Sequence, residues 1–525
     1  MDKKETEALR KELKAEKSLT IPIDEVIEQI KLFEQGIPFL NLVKPCTIGN
    51  GVKKISEHQH EDYTKIFISA LEERKVIKFV PASGAATRMF KKQLSVLAEL
   101  EHIEYKKIKE LAGSGDENCK STLEFFENIH RFAFYDELKQ IVKKKGISFD
   151  DLIENKNIAG ILLSVTNEVG LNYANLPKGA ILFHSYPDGS RTAFEEHLVE
   201  AINYSVNTDK EVQIHFTISP EHDTEIKTLI SALIEKYSRF GWKFDVRFSY
   251  QSHTTNTISV TLDNKLFRDD DGNIIFRPGG HGALIKNLND LEADIISIKN
   301  IDNIVPDHLT KESYKYKKIL SGYLIKLQDK VFKMLHRLED SEIGKKFINE
   351  VIDFIFSEFD QDLSTILESR TIIEKKKYLF NYLNRPLRVC GMVIRESHPG
   401  GSPFWVEAKD GEISKQIVET AQVNLNDKNQ QKIFNEATHF NPVDLACGVR
   451  DFRGNSFDLE KFSNPQTGLI TKKSKDGREL KALELPGLWN GGMYHWLTVF
   501  VEVPKITFNP VKEVNDLLKP EHQPL

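Results

Sequence analysis

Cysteine is scarce in this chain: Cys46, Cys119, Cys390 and Cys447 are the only four in 525 residues, far apart and in no paired spacing. That excludes a disulfide framework and a zinc finger, and a reduced, cytoplasmic chain is the expectation. Neither sign of charge dominates. A net charge of -6, with Lys and Glu interspersed, gives no basic field for nucleic acid. No hydrophobic run is long enough for a bilayer: Ile158 to Val165, the longest, is broken by Gly160 and Ser164. The charged start, Met1 to Lys17, has no apolar signal core, so no membrane partner is expected. Internal repeats and low-complexity linkers are absent too. Two apparent metal motifs fail on spacing. His58-Gln59-His60-Glu61-Asp62 matches neither a zinc finger nor His-Glu-x-x-His and reads as a solvated helix start. Asp269-Asp270-Asp271-Gly272 would put Phe267 first and Pro278 twelfth in a calcium loop, so a hairpin turn accounts for it better.

What is present is an ordinary globular balance, 40% hydrophobic and 29% charged, long enough for two or more domains. The stretch from Val76 to Lys92 organises it. Val76 to Val80 is an apolar, β-branched run suited to a buried parallel strand. A turn of small residues follows, Ala82-Ser83-Gly84-Ala85-Ala86, and from Thr87 the apolar spacing is helical. Such a loop lets backbone N–H groups approach an anion, and Arg88 in the first helical turn offers a two-pronged charge suited to phosphate. The alternative is a turn whose small residues serve packing alone. It is no Walker loop, since Gly-Lys-Ser/Thr is absent, and no dinucleotide fingerprint, since Gly84 is its only glycine.

Residues 1–75 and 92–175 read as mainly helical. Pro177-Lys178-Gly179 leads into a strand from Ala180 to His184, and Thr192 with Glu195 has capping-box spacing. Strand, helix and strand then alternate from Val212 to Tyr250, which argues for a mainly parallel sheet with helices on both faces. Gly280-His281-Gly282 forms a second glycine-rich turn. The apolar strand from Asp294 to Lys299 ends in Asn300-Ile301-Asp302-Asn303, and a carboxylate at the end of a parallel strand is well placed for a ligand. Residues 307–384 return to helical patterns before strands resume at Leu387 to Arg395, Phe404 to Ala408 and Trp496 to Val503.

Taken together, the loop at 82–89, Phe248-Ser249-Tyr250-Gln251, Pro278-Gly279-Gly280-His281-Gly282 and Asn300-Ile301-Asp302-Asn303 resemble, in order, the motifs of the UDP-sugar pyrophosphorylase group. The whole chain also resembles a domain-of-unknown-function family. The first resemblance implies a Rossmann-like α/β fold of the nucleotide-diphospho-sugar transferase (GT-A) type, with a mixed, mostly parallel sheet and large helical insertions. The Pro-Lys usually found about ten residues after the Arg is absent there. Pro177-Lys178-Gly179 with the Phe194-Glu195-Glu196-His197 helix looks like that missing half, so residues 92–175 read as an insertion. Four parts are expected: helices 1–75, a nucleotide-binding core 76–306 containing that insertion, helices 307–384, and a sugar-binding part 385–525. The implied reaction joins a nucleoside triphosphate, UTP favoured, to a sugar 1-phosphate. Arg88 and Lys178 would be catalytic. Residues 82–87, Gln251, Gly280, His281, Gly282 and Asn300 would hold the nucleotide, and Asp302 with Asp444 would hold Mg²⁺. Glu407, Asn441, Trp489 and Asn490 would contact the sugar. A glycosyltransferase-like or catalytically silent nucleotide-sugar-binding protein on the same fold is the alternative, and a kinase is disfavoured by the missing motifs.

Overall fold

The computed structural model describes residues 3–16, 18–99, 104–340, 343–396, 400–475 and 477–525. Met1, Asp2 and Lys17 of the charged first segment therefore lie outside the described residues. Strands and helices alternate through a mixed α/β chain that divides into two compact units, each built from several segments. One comprises residues 1–77, 251–298 and 317–505; the other comprises 78–250, 299–316 and 506–525. The division differs from the four consecutive parts expected above because distant segments share a core. The last twenty residues pack with 78–250, although hydrophobic pattern along the chain carries no signal of that. Among the described residues no helix is long and apolar enough to cross a membrane.

The second unit is organised by parallel pairing. Val76–Pro81 pairs with Glu211–Ile218 from Lys78 onward, and Glu211–Ile218 pairs with Lys243–Tyr250, with Val80 opposite Phe216 and Phe216 opposite Phe248. Apolar residues on both faces of the first two strands are buried, as a sheet covered on both sides requires. The helix Ala193–Tyr204 covers it, its start capped by Thr192, whose hydroxyl accepts from the Glu195 N–H at 3.2 Å. Only half of the expected capping box forms, because the Glu195 carboxylate instead accepts from Lys236 and Tyr237, both at 2.8 Å. The stretch expected as a helical insertion is helical from Lys91–Glu99 to Ile158–Thr166 and shares the unit's core through residues such as Phe125, Phe134 and Val165. The strand expected at Ala180 to His184 is displaced: Lys178–Ala180 is a 3-10 turn, and Leu182–Tyr186 pairs antiparallel with Gly189–Thr192 as a hairpin.

In the first unit, Gly51–Lys53, Leu497–Glu502 and Leu387–Ile394 run parallel, with Asp444–Gly448 antiparallel to the last. Two further sheets are wholly antiparallel: Asn41–Pro45 with Ser402–Glu407 and Ile413–Val418, and a four-stranded one around Thr257–Val260 and Arg478–Glu484. The helices Lys345–Phe359 and Ile372–Leu383 account for much of the expected helical stretch 307–384.

Candidate active site

The small-residue loop leaves the strand at Pro81 and is held from two sides. Ala82 N–H donates to the Thr217 carbonyl at 2.9 Å, and Ser219 Oγ donates to the Ser83 carbonyl at 2.9 Å. On the other side lies the chain that returns from the helical excursion. Lys178 N–H donates to the Gly84 carbonyl at 3.1 Å and Ala86 N–H to the Leu176 carbonyl at 3.0 Å, with Ala85 bridged to Pro177. Thr87 Oγ1 adds a bond to the Ala174 carbonyl at 2.8 Å. The two ends of the excursion are thus tied together at the loop itself. The N–H groups of Ser83, Gly84 and Ala85 make no hydrogen bond among the described residues, and Gly84 and Ala85 are exposed. Three successive free donors at an exposed turn are what an anion needs. Gly84 has open space where a Cβ would stand and an ordinary φ, so steric need does not dictate glycine there.

The helix begins later than the sequence pattern indicates: Ala86–Arg88 is a 3-10 turn, and the α-helix starts at Lys91. Arg88 is exposed and makes no ion pair or hydrogen bond among the described residues. Lys92 pairs with Glu513 at 2.7 Å, whereas Lys91 is exposed.

Lys178 turns its side chain to Asp302. Nζ lies 2.9 Å from Asp302 Oδ2 and donates to the Val511 carbonyl, also at 2.9 Å. Asp302 follows Ile295–Lys299 in the turn 300–303, where the turn's position is fixed by a histidine and by the C-terminal segment. His197 Nε2 meets the Ile301 carbonyl at 3.1 Å. Burial holds the His197 pKa well below its usual value, so the ring is neutral, Nε2 carries the proton and Nδ1 has no partner. Val511 N–H donates to the Asp302 carbonyl at 3.0 Å, and the Asn303 side chain bonds Thr507 and Asn509. His197 and the segment 506–511 are the supporting parts that sequence reasoning missed. The Phe194-Glu195-Glu196-His197 pattern signalled the first; nothing local signalled the second.

A buried charge network lies beneath. Lys78, on the strand leading to the loop, donates to the His197 carbonyl at 2.9 Å and lies 3.7 Å from Glu200. Lys299, which ends the strand before Asp302, meets the same Glu200 at 2.8 Å. One carboxylate thereby ties together both strands that deliver candidate residues.

Asn300 is half-buried in the same turn as Asp302. Asp302 keeps Oδ1 unpartnered, which suits an ion held mainly by phosphate oxygens, as Mg²⁺ commonly is. Among the described residues no group of three or more His, Cys, Asp or Glu side chains is arranged to hold a metal. Asp444 is buried, with its Oδ1 2.8 Å from Lys317, itself fully buried.

The remaining candidates belong to the first unit. Gln251 donates to the Gly280 carbonyl at 2.6 Å, so these two are brought together. Gly280 has a φ of 71° with open space beside it, whereas a Cβ on Gly282 would meet the Pro486 carbonyl at 2.4 Å. Gly282 is therefore kept small by packing. His281 stands edge-on to Trp489 with centroids 4.5 Å apart, and burial lowers its pKa. Asn441 and Asn490 do not present free amides to a sugar. The Asn441 side chain bonds the Gly391 carbonyl and the Val443 N–H, both at 3.1 Å. That of Asn490 bonds the Gly491 N–H at 2.7 Å and Glu419 at 3.0 Å. Glu407 is exposed, accepts from Asn41 at 2.7 Å and borders a cavity.

Comparison with known proteins returns the resemblances drawn from the motifs. The chain is similar to the UDP-glucose pyrophosphorylase of Leishmania major, at 12% identity and a TM-score of 0.42 over 99% of this chain and 81% of that one. It is similar to the uridine diphosphate N-acetylglucosamine pyrophosphorylase of Trypanosoma brucei, at 12% identity and a TM-score of 0.44 over 94% and 74%. A variant of the Leishmania major enzyme in complex with UDP-glucose aligns at 12% identity and a TM-score of 0.43 over 99% and 81%. No curated protein matches. The domain-of-unknown-function family DUF4301 matches residues 9–523, nearly the whole length, and the chain belongs to that family.

Proposed function

We propose that the protein is a sugar-1-phosphate nucleotidyltransferase that uses UTP by preference and releases pyrophosphate. The observation that carries this reading is the pairing of residues 84–86 with 176–178, which sets free N–H donors, Lys178 and Asp302 around one turn. In the reaction, an oxygen of the sugar phosphate forms a bond to the α-phosphorus as the α–β bridging bond breaks. Pyrophosphate leaves with the electron pair. No protein nucleophile is needed, so the residues act by positioning and charge. The N–H groups of Ser83, Gly84 and Ala85 would bind phosphate oxygens, and Arg88 would offset charge on the departing pyrophosphate. Lys178 would move from the Val511 carbonyl to the phosphates. Mg²⁺, held by Asp302, would supply further neutralisation of the phosphate charge.

The test is mass analysis of products after incubation with UTP, Mg²⁺ and a panel of sugar 1-phosphates. A nucleoside-diphosphate sugar formed in step with pyrophosphate supports the reading, and unchanged substrates across the panel defeat it. One observation favours a second reading. Lys178 and Asp302 occupy each other, as they would in a silent protein that binds finished nucleotide sugars. Stabilisation by UDP-sugars without turnover would select it.

A further inference from the structure

The strand Lys243–Tyr250 is the outermost of its sheet: it pairs with Glu211–Ile218 on one side and, among the described residues, with no strand on the other. Lys243 N–H donates to the Lys210 carbonyl at 2.8 Å, so the alternation of a parallel pair turns the backbone groups of Lys243, Asp245, Arg247 and Ser249 towards Glu211–Ile218. Those of Phe244, Val246 and Phe248 point outward, and among the described residues they make no hydrogen bond. Natural sheets usually blunt such an edge with a proline, a bulge or a very short strand. This strand has eight residues, no proline and an unbroken register. A row of unsatisfied donors and acceptors is a template for another strand.

The charges on the strand select the partner. Charge of one sign would repel every copy of the edge, but Asp245 and Arg247 stand on one face, 2.8 Å apart, with the Arg247 side chain 50% exposed. Two copies brought together antiparallel, with Val246 facing Val246 across a two-fold axis, set Phe244 against Phe248 and Asp245 against Arg247, each twice. The Asp245–Arg247 pairs then fall at non-hydrogen-bonded positions, where Cα atoms approach to about 4.5 Å and side chains lie closest. Sliding one copy by two residues loses this match. In one direction Asp245 meets Asp245 and Lys243 meets Arg247; in the other Arg247 meets Arg247. The antiparallel arrangement also brings the start of one strand, next to the 70%-exposed Phe240, to the end of the other at the 38%-exposed Tyr250. A two-fold pairing closes on itself and leaves neither edge open. We propose that Lys243–Tyr250 is a homodimerisation edge, through which two copies of the chain join their sheets antiparallel about Val246.

Sedimentation velocity of the full chain across a range of concentrations tests the edge. Wild type is expected to pass from monomer to dimer as concentration rises. In Asp245→Arg and in Arg247→Asp like charges face each other, and each variant alone is expected to dimerise about tenfold more weakly or worse. Mixing the two variants sets opposite charges against each other at both positions, so the mixture is expected to form a heterodimer of near wild-type strength. Hydrogen exchange of wild type gives a reading that needs no variant: the Phe244, Val246 and Phe248 amides should gain protection as concentration rises. A chain that stays monomeric, single variants that dimerise as wild type does, a mixture no stronger than its parts, or edge amides indifferent to concentration would each overturn the proposal.

Discussion

Lys178 Nζ stands 2.9 Å from Asp302 Oδ2, although 124 positions separate the two residues in sequence. Under the proposed function, the cation that would meet the phosphates and the carboxylate that would hold Mg²⁺ pair with each other when neither ligand is bound. Triphosphate that draws Lys178 away frees Asp302, and Mg²⁺ on Asp302 frees Lys178. The two ligands are therefore expected to bind synergistically, with a coupling of about 1–3 kcal/mol. Calorimetric titration of UTP with and without Mg²⁺, corrected for the complex formed in solution, checks it. The same coupling measured in Asp302→Asn would speak against the mechanism.

Loss of Lys178 should be costly in rate. Removing a charge that acts in the transition state costs about 3–4 kcal/mol, roughly a hundred- to a thousandfold. Lys178→Ala is expected to lose that much in kcat. Lys91→Ala and Lys92→Ala should stay near wild type, since Lys91 faces solvent and Lys92 holds Glu513. Steady-state pyrophosphate release separates these outcomes.

Glu200 is expected to matter for stability first. It sits against Lys78 at 3.7 Å and Lys299 at 2.8 Å, all three buried. Breaking a buried ion pair by removing one partner commonly costs about 3–5 kcal/mol. Glu200→Ala should lower the urea midpoint accordingly, and an unmoved midpoint would rule the network out as a support.

The C-terminal segment should loosen in acid. His522 Nδ1 lies 3.0 Å from His184 Nε2, and His184 Nδ1 lies 2.9 Å from Glu196. Burial, and then His184, push the His522 pKa down to about 3; Asp516 works against this and Lys519 with it. Unfolded chain binds a proton at this histidine near pH 6.5, and folded chain only near 3, so stability falls as pH drops through that window. Protection of the 506–525 amides, taken relative to the intrinsic exchange rate at each pH, should therefore fall from pH 6.5 towards 4 in wild type, and fall less in His522→Gln. Identical pH profiles would contradict the assignment.

The sequence carried the loop, its returning partner at 176–178 and the carboxylate turn at 300–303, because each is marked by local chemistry: small residues, a Pro-Lys step, an apolar strand ending in polar residues. It did not carry the contacts that hold them. Val511 reaching Lys178, His197 reaching Ile301 and Lys317 reaching Asp444 are tertiary pairings with no local pattern. The strand expected at Ala180 to His184 proves to start at Leu182 and to belong to a hairpin for the same reason: alternation marks a strand but not its partner. Asn441 and Asn490 looked available in sequence because backbone acceptors and donors leave no trace there.

The most direct measurement is pyrophosphate release from UTP, Mg²⁺ and a panel of sugar 1-phosphates, run on wild type and on Asp302→Asn with folding of both verified by circular dichroism. Release by wild type with at least one sugar phosphate, abolished in Asp302→Asn while the fold persists, is the predicted result. Full activity with normal Mg²⁺ dependence in Asp302→Asn, or transfer of the γ-phosphate with no pyrophosphate from any combination, would contradict it.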